Sequence, residues 1–326
     1  MSATKDPLVL PRPSSSYKSR PPIPAPTETS FTSTFGTLLP KANYLSTPAG
    51  RVAYYTFPSS YPISNDATPA PARVLLIHGI QTPAIGLLPL TRALRSSFPS
   101  TYFVVFDLYG HGLSDTPYVP HTPNLFHNLI DALLDRLNWT TAHLVGYSFG
   151  GITAAGYAAT RPDQVQSIAL VAPAGLYRSS DMRGEFLAHD CADEGAARDW
   201  ILRLLEGGKE LVVPVDWRER VAQGEVVAEA VREWEMEEHQ GHAASVVAIF
   251  RDGGVMDSAE VFRRASAAGV DRLVVLGELD DVGGVKEFGD VGFKDVSVVE
   301  GVGHGVVRER VEEVAEAIGE FWRVLN

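Results

Sequence analysis

The 326 residues contain one cysteine, Cys191, so no disulfide can form within the chain. A lone thiol suits a reducing compartment, and a cytoplasmic location is the expectation. No uninterrupted apolar run is long enough to span a bilayer. The opening residues, MSATKDPLVLPRPSSS, lack the apolar core of a secretory signal. Their Ser and basic content would suit an organelle leader, which Asp6, Glu28 and the prolines oppose. Asn138-Trp139-Thr140 fits a glycosylation sequon, which without such a leader reads as coincidence. Positive charge is scarce: 28 Lys and Arg stand against 40 Asp and Glu, a formal net charge of -12. Nucleic acid and anionic membranes attract basic faces, so neither is expected as a partner. No internal repeat is present.

What is present is an ordinary globular composition, 45% hydrophobic and 21% charged, with material for a large core. Residues 1–34, rich in Pro, Ser and Thr, read as a disordered or extended arm. Two strand-like runs follow, 36–45 and 52–57, around a Pro48-Ala49-Gly50 turn, and then a Pro/Ser/Asn-rich loop at 58–72. Short continuous apolar runs at 73–77, 102–106, 142–145 and 165–171 have the pattern of strands buried on both faces. Helical patterns at 87–95, 123–137 and 152–159 alternate with them. That alternation implies a mostly parallel sheet with helices on both faces. Residues 177–256 change character, being acidic and helical in pattern without a buried strand, and read as an inserted helical cap. The sheet resumes at 271–276 and 296–299, and an amphipathic helix closes the chain at 306–324. The expected division is an arm (1–34), a core in two parts (35–176 and 257–326) and a cap (177–256).

The stretch AHLVGYSFGGITAA, 142–155, organises the rest. Strand, abrupt turn and small-residue helix are the context of a G-x-S-x-G nucleophile elbow centred on Ser148. Gly146 and Gly150 flank it, as expected where a Cβ would crowd neighbouring backbone. The elbow would place the N–H of Phe149 at a helix start, facing any negative charge that develops there. Downstream, one strand runs into Gly277-Glu278-Leu279-Asp280-Asp281 and the next into Gly301-Val302-Gly303-His304-Gly305. Both endings fall on the carboxyl edge of a parallel sheet, where sites form. A serine hydroxyl needs a base to take its proton, and neutral imidazole suits that task near pH 7. A carboxylate on the other ring nitrogen fixes the tautomer. The expectation is Ser148 as nucleophile, His304 as base and acid, and Asp280 as orienting carboxylate, with Asp281 its rival and Glu278 a loop support. The His78-Gly79-Ile80 turn would supply a second oxyanion donor through the Ile80 N–H, with His78 structural.

Taken in order, VLLIHG, FDLYGHGLSD, LVGYSFGG, LVVLGELDD and GVGHG resemble the α/β-hydrolase superfamily, over about residues 35–326. The resemblance is strongest to members with a helical cap after the sixth strand. It implies the α/β-hydrolase fold, a structural role for the Asp107–Asp115 turn, and hydrolysis without a cofactor or metal. Ser148 separates the chain from the superfamily's haloalkane dehalogenases and epoxide hydrolases, which carry Asp at the elbow. The expected reaction is cleavage of a hydrophobic carboxylic ester. The alternatives are carbon–carbon hydrolysis of a vinylogous diketone and a non-catalytic ligand-binding role. Gln81, Tyr147, Trp200 and Trp234 are the candidate substrate contacts, although the tryptophans, with Trp217, read by default as the cap's own core. His239 and His242, beside Glu235 and Glu238, read as a solvated acidic surface rather than a metal site.

Overall fold

A computed structural model describes residues 7–60 and 71–325. The first six residues of the expected arm and most of the 58–72 loop lie outside the described residues. The strands are β1 (Asn43–Thr47), β2 (Gly50–Phe57), β3 (Arg73–Ile77), β4 (Tyr102–Phe106), β5 (Ala142–Tyr147), β6 (Val165–Val171), β7 (Asp271–Gly277) and β8 (Val296–Val299). They form one eight-stranded sheet in the order β1-β2-β4-β3-β5-β6-β7-β8. β2 pairs antiparallel with β1 and β4, and all other pairings are parallel. This is the α/β-hydrolase fold. Val74–Ile77, Phe103–Phe106 and Leu144–Val145 are almost completely buried, as their uninterrupted apolar pattern requires for strands covered on both faces.

The helices, in chain order, are α1 (Glu28–Phe35), α2 (Leu88–Ser97), α3 (Pro123–Leu137), α4 (Phe149–Thr160), α5 (Gly184–Leu187), α6 (Glu194–Leu205), α7 (Trp217–Ala222), α8 (Ala228–Glu238), α9 (His242–Asp252), α10 (Ala259–Ala267), α11 (Val285–Asp290), α12 (Val306–Glu309) and α13 (Val311–Val324). The C-terminal helix expected at 306–324 is broken at Arg310, whose backbone leaves helical values (φ -135, ψ 52). Asn138 ends α3 in the left-handed conformation (φ 55), a position Asn fills at low cost. Six helices, α5 to α10, fall between β6 and β7, and the first five belong to an insertion. This insertion is closed at its base by a bridge between Tyr177 and Met256 and by the Asp257 N–H donating to the Tyr177 carbonyl (2.8 Å).

The arm departs from a free tail. Its chain is tied to the insertion through Arg12, and farther on Ile23 pairs with Thr116 of the core through two backbone hydrogen bonds (2.8 and 2.9 Å). It then forms α1, which the sequence reading missed. The helix is short and rich in Ser and Thr, but its signals were there: the Thr27 side chain caps the Ser30 N–H, and Gly36 (φ 61) ends it. Phe31 and Phe35 of α1 pack against Trp234 at 5.3 and 6.0 Å, and Phe35 meets Trp217 at 6.1 Å. Arg12 is the polar anchor. It holds Asp252 at the end of α9 through two bonds (2.8 and 2.9 Å) and donates to the carbonyls of Leu187 (3.1 Å) and Ala188 (2.8 Å). Both partners are almost buried, so removing the cation strands the carboxylate. Arg12→Ala should therefore lower the unfolding free energy by about 3 kcal/mol, measured as a urea midpoint. A loss below about 0.5 kcal/mol would mean that the arm merely rests on the insertion.

Candidate active site

β5 delivers Ser148 to the carboxyl edge of the sheet in a backbone conformation rare for a side-chain-bearing residue (φ 52, ψ -116). Backbone bonds hold it there. Its N–H donates to the Val171 carbonyl (3.0 Å), and its carbonyl accepts from Gly151 (2.9 Å) and Ala174 (3.0 Å). The flanking glycines are required by close approach: a Cβ on Gly150 would lie 2.0 Å from the Ile77 carbonyl oxygen, and one on Gly146 would lie 2.2 Å from that of Gly150. Gly79 is also confined, its Cβ position 3.0 Å from the Ser148 Cβ, which brings the β3 turn directly against the elbow. Phe149 opens α4, and first-turn N–H groups have no acceptor within their helix.

β7 and β8 bring the other two residues to the same edge. His304 Nε2 lies 3.0 Å from Ser148 Oγ, and its Nδ1 lies 3.1 and 3.2 Å from the two carboxylate oxygens of Asp280. An ionised carboxylate only accepts, so Nδ1 carries the proton and Nε2 is left to accept from the serine hydroxyl. Asp280 is almost fully buried (side chain 1% exposed) and also accepts from the Val282 N–H at 3.0 Å. Asp281 instead borders the adjoining cavity and is exposed. Glu278 accepts from the Gly301 N–H (2.9 Å), tying the two loops together. Tyr147, expected to touch substrate, lies beside the imidazole instead: its hydroxyl donates to the His304 carbonyl (3.1 Å), and the rings stand 5.5 Å apart.

The β3 turn is held by histidines. His78 Nδ1 donates to the Gly79 carbonyl (2.6 Å), and its Nε2 accepts from the Leu108 N–H (2.8 Å). His111 Nε2 accepts from the Gln81 N–H at 3.3 Å. Burial pushes His78 down to about 4 and His111 well below the usual histidine range, so both stay neutral and able to accept. Asp107 organises the turn after β4 by accepting from the Ala84 N–H (2.9 Å), the Leu113 N–H (3.0 Å) and the Tyr55 hydroxyl (2.9 Å). Burial raises its pKa to about 6 against those donors.

A cavity of about 380 Å3 opens over Ser148 and His304. The insertion supplies Tyr177, Leu204, Leu205, Gly207, Gly208, Phe250 and Val255 to its wall, and the core adds Ile80, Ala174 and Val282. The Leu204-Leu205 pair before Gly207-Gly208 was the legible signal for this wall. The Tyr177 hydroxyl is held neutral, its pKa pushed up to about 12 by burial and by the charges of Asp281 and Asp280. A larger cleft of about 740 Å3 lies beside α1, but neither Ser148 nor His304 borders it.

Three expected contacts stand elsewhere. Trp200 packs between Phe186 (5.6 Å) and Phe250 (6.3 Å), and Trp234 is covered by α1. Gln81 turns away from the cavity to donate to Glu206 at 3.0 Å. The group at 235–242 is another correction, since Glu235, His239 and His242 are buried rather than solvated. α8 and α9 press them onto the turn after β4. There Glu235 accepts from the Gly112 N–H (2.7 Å), while His239 Nε2 and His242 Nδ1 donate to the carbonyls of Ser114 and Gly110 (2.9 Å each). An acidic segment of helical pattern looks solvated until its packing partner, far away in sequence, is known.

Residues 72–199 match a family described as the alpha/beta hydrolase fold. Lipase LipV of Mycobacterium tuberculosis is 37% identical over 114 residues, covering 35% of this chain and 41% of that protein. The monoacylglycerol lipase ABHD6 of Rattus norvegicus is 34% identical over 116 residues, covering 34% of this chain and 33% of the relative. The match thus spans less than half the length of either relative. Among solved structures, an enol-lactonase from Burkholderia xenovorans aligns over 86% of this chain and 99% of its own (TM-score 0.63, 18% identity). A meta-cleavage product hydrolase from Pseudomonas fluorescens aligns over 89% and 99% (TM-score 0.60, 17% identity).

Proposed function

We propose that this chain, which has the α/β-hydrolase fold, is a serine hydrolase that cleaves a hydrophobic carboxylic ester through an acyl-enzyme. The observation that carries this reading is the imidazole of His304 set between Ser148 Oγ (3.0 Å) and the Asp280 carboxylate (3.1 Å) at the floor of a largely apolar cavity. The lipase names of the sequence relatives point the same way.

In the proposed reaction the Ser148 oxygen attacks the ester carbonyl carbon while His304 Nε2 takes the hydroxyl proton. Asp280 holds the imidazole in register and stabilises the imidazolium. The carbonyl π electrons move onto oxygen, where the N–H groups of Ile80 and Phe149 receive the negative charge, each donor worth about 3 kcal/mol of barrier. Collapse of the tetrahedral adduct expels the alkoxide, which takes the proton from His304 and leaves as alcohol. Water then attacks the acyl-enzyme by the same steps, with His304 again as base, and releases the carboxylic acid and the Ser148 hydroxyl. No bound group beyond these residues is needed. Leu204, Leu205, Phe250, Val255 and Val282 favour an apolar acyl or aromatic moiety in the cavity.

The test is to offer p-nitrophenyl esters of graded chain length, a vinylogous diketone and a fluorophosphonate, and to locate the phosphonate by peptide mass spectrometry. Ester turnover with the label on Ser148 is expected. Faster turnover of the diketone than of every ester would move the reading to carbon–carbon hydrolysis. A chain that neither turns over nor labels would remove the enzyme reading.

A further inference from the structure

Beside the cavity over Ser148 lies a second one of about 260 Å3. Its apolar lining comes from Leu202, Leu211 and the solvent-exposed Met236, and Gln81, Glu206 and Arg232 border it together with charged residues of 203–210. Neighbouring residues in two segments face opposite cavities. Ile80 borders the first and Gln81 the second, while Leu205 and Gly207 border the first and Glu206, between them, the second. The wall between the cavities is therefore about one residue thick in each segment. What joins the segments across it is a single side-chain bond: Gln81 Nε2 donates to Glu206 Oε1 at 3.0 Å. Arg232 Nε pairs with the same oxygen at 3.1 Å, with both side chains mostly withdrawn from solvent (13% and 14% exposed).

Local backbone geometry sets both ends of the bond. Gln81 takes a left-handed conformation (φ 72) that turns its side chain out of the first cavity, with its N–H held by His111. Glu206 follows the last residue of α6 and precedes Gly207 and Gly208 (φ 66 and 78), around which there is open space. The turn itself is held by the Gly207 and Gly208 N–H groups on the carbonyls of Leu204 (2.9 Å) and Arg203 (2.8 Å), so truncating either side chain removes the link across the wall and leaves the backbone in place.

Resting on the acyl-transfer reading above, we propose that the Gln81–Glu206 bond, locked by Arg232, is a specificity-determining partition. It confines the substrate's apolar arm to the cavity over Ser148 and selects short-arm esters. Behind it, the second cavity is a latent extension whose Leu202, Leu211 and Met236 walls suit a longer hydrocarbon chain.

The experiment compares the rate constants for labelling by dodecyl and ethyl fluorophosphonates. Glu206→Ala cuts the bond from one side. Gln81→Asn cuts it from the other, since Asn tolerates the left-handed backbone but is one methylene too short to reach. Each single variant is expected to raise the dodecyl-to-ethyl ratio by about tenfold, the scale of apolar-pocket discrimination. The double variant should do no more than either single, because both remove the same bond. Adding Met236→Trp to Glu206→Ala fills the second cavity and should return the ratio to that of the parent. A ratio within about twofold of the parent's in both single variants overturns the partition, as does an unaltered high ratio after Met236→Trp. The same ratio is read without a reacting serine from calorimetric affinities of long and short methyl ketones for the Ser148→Ala chain. Failure of phosphonate labelling would thus sink the acyl-transfer reading alone, and the partition would still stand or fall on binding.

Discussion

Ser148→Ala is expected to lower kcat for ester hydrolysis by about a million-fold, and His304→Ala by about as much. The two residues act as one unit. An alanine at 148 leaves nothing to attack, and a serine without the imidazole at 3.0 Å keeps its proton. The double variant should therefore be no slower than either single. Asp280→Asn should cost about ten-thousand-fold, because an amide facing Nδ1 can hold the wrong tautomer and leave Nε2 protonated. Asp281→Asn should cost far less, since the imidazole contacts its neighbour at 3.1 and 3.2 Å. Single-turnover kinetics on the five variants, with melting curves to show intact folds, decides the matter. Additive losses for 148 and 304, or a larger loss at 281 than at 280, would contradict the arrangement.

Acid should unfold this protein at milder pH than its charge alone suggests. Burial lowers the folded pKa values of His78, His121, His127 and His143 to about 4, and that of His242 to about 3. His111 and His239 are lowered as well, again mainly by burial. For such a group the unfolded chain binds the proton first. Its contribution is unaffected above pH about 6.5 and declines as the pH falls from there to the folded value, by about 1.4 kcal/mol per histidine per pH unit inside the window. Two carboxylates work in the opposite direction. Asp107 is raised to about 6 and Glu235 well above the usual range, both by burial, so their stabilising share is full at low pH and is lost as the pH rises through the folded value. Seven histidines outnumber two carboxylates, so stability should drop steeply between pH about 6.5 and 4. Urea midpoints at pH 7.5, 6 and 5, with proton uptake on unfolding, test this. A midpoint that holds or rises toward pH 5 would show that these imidazoles are not neutral in the fold.

How much of the site was legible depended on how local each signal was. The elbow's glycines, the apolar strand before them and the loops after 276 and 299 are all short-range patterns, and Ser148, His304 and the Asp280-Asp281 pair could be named from them. The choice between Asp280 and Asp281 could not, because one step along a loop reverses which side chain meets the imidazole. Gln81, Tyr147 and the alternative reading of Trp200 and Trp234 as substrate contacts went astray for a related reason, while packing, the default reading of the tryptophans, is what Trp200 and Trp234 show. Residue type showed that they could contact a ligand, but their direction depended on a positive φ at 81, on His304 packing beside Tyr147, and on an N-terminal helix covering Trp234. The burial of Glu235, His239 and His242 was hidden for the same cause, since their acceptors and donors lie more than 120 residues away.

Strand and helix periods, the absence of cysteine pairs and long apolar runs, and the order of the loops carrying Ser, Asp and His were written in the chain itself, because each depends on neighbours within a few residues. The tertiary structure alone decided which carboxylate faces the imidazole and where the wall between the two cavities falls. It also decided that the arm is bound and that most of the histidines are shut away from water. These are matters of direction and burial, which arise only when distant segments exclude solvent from one another.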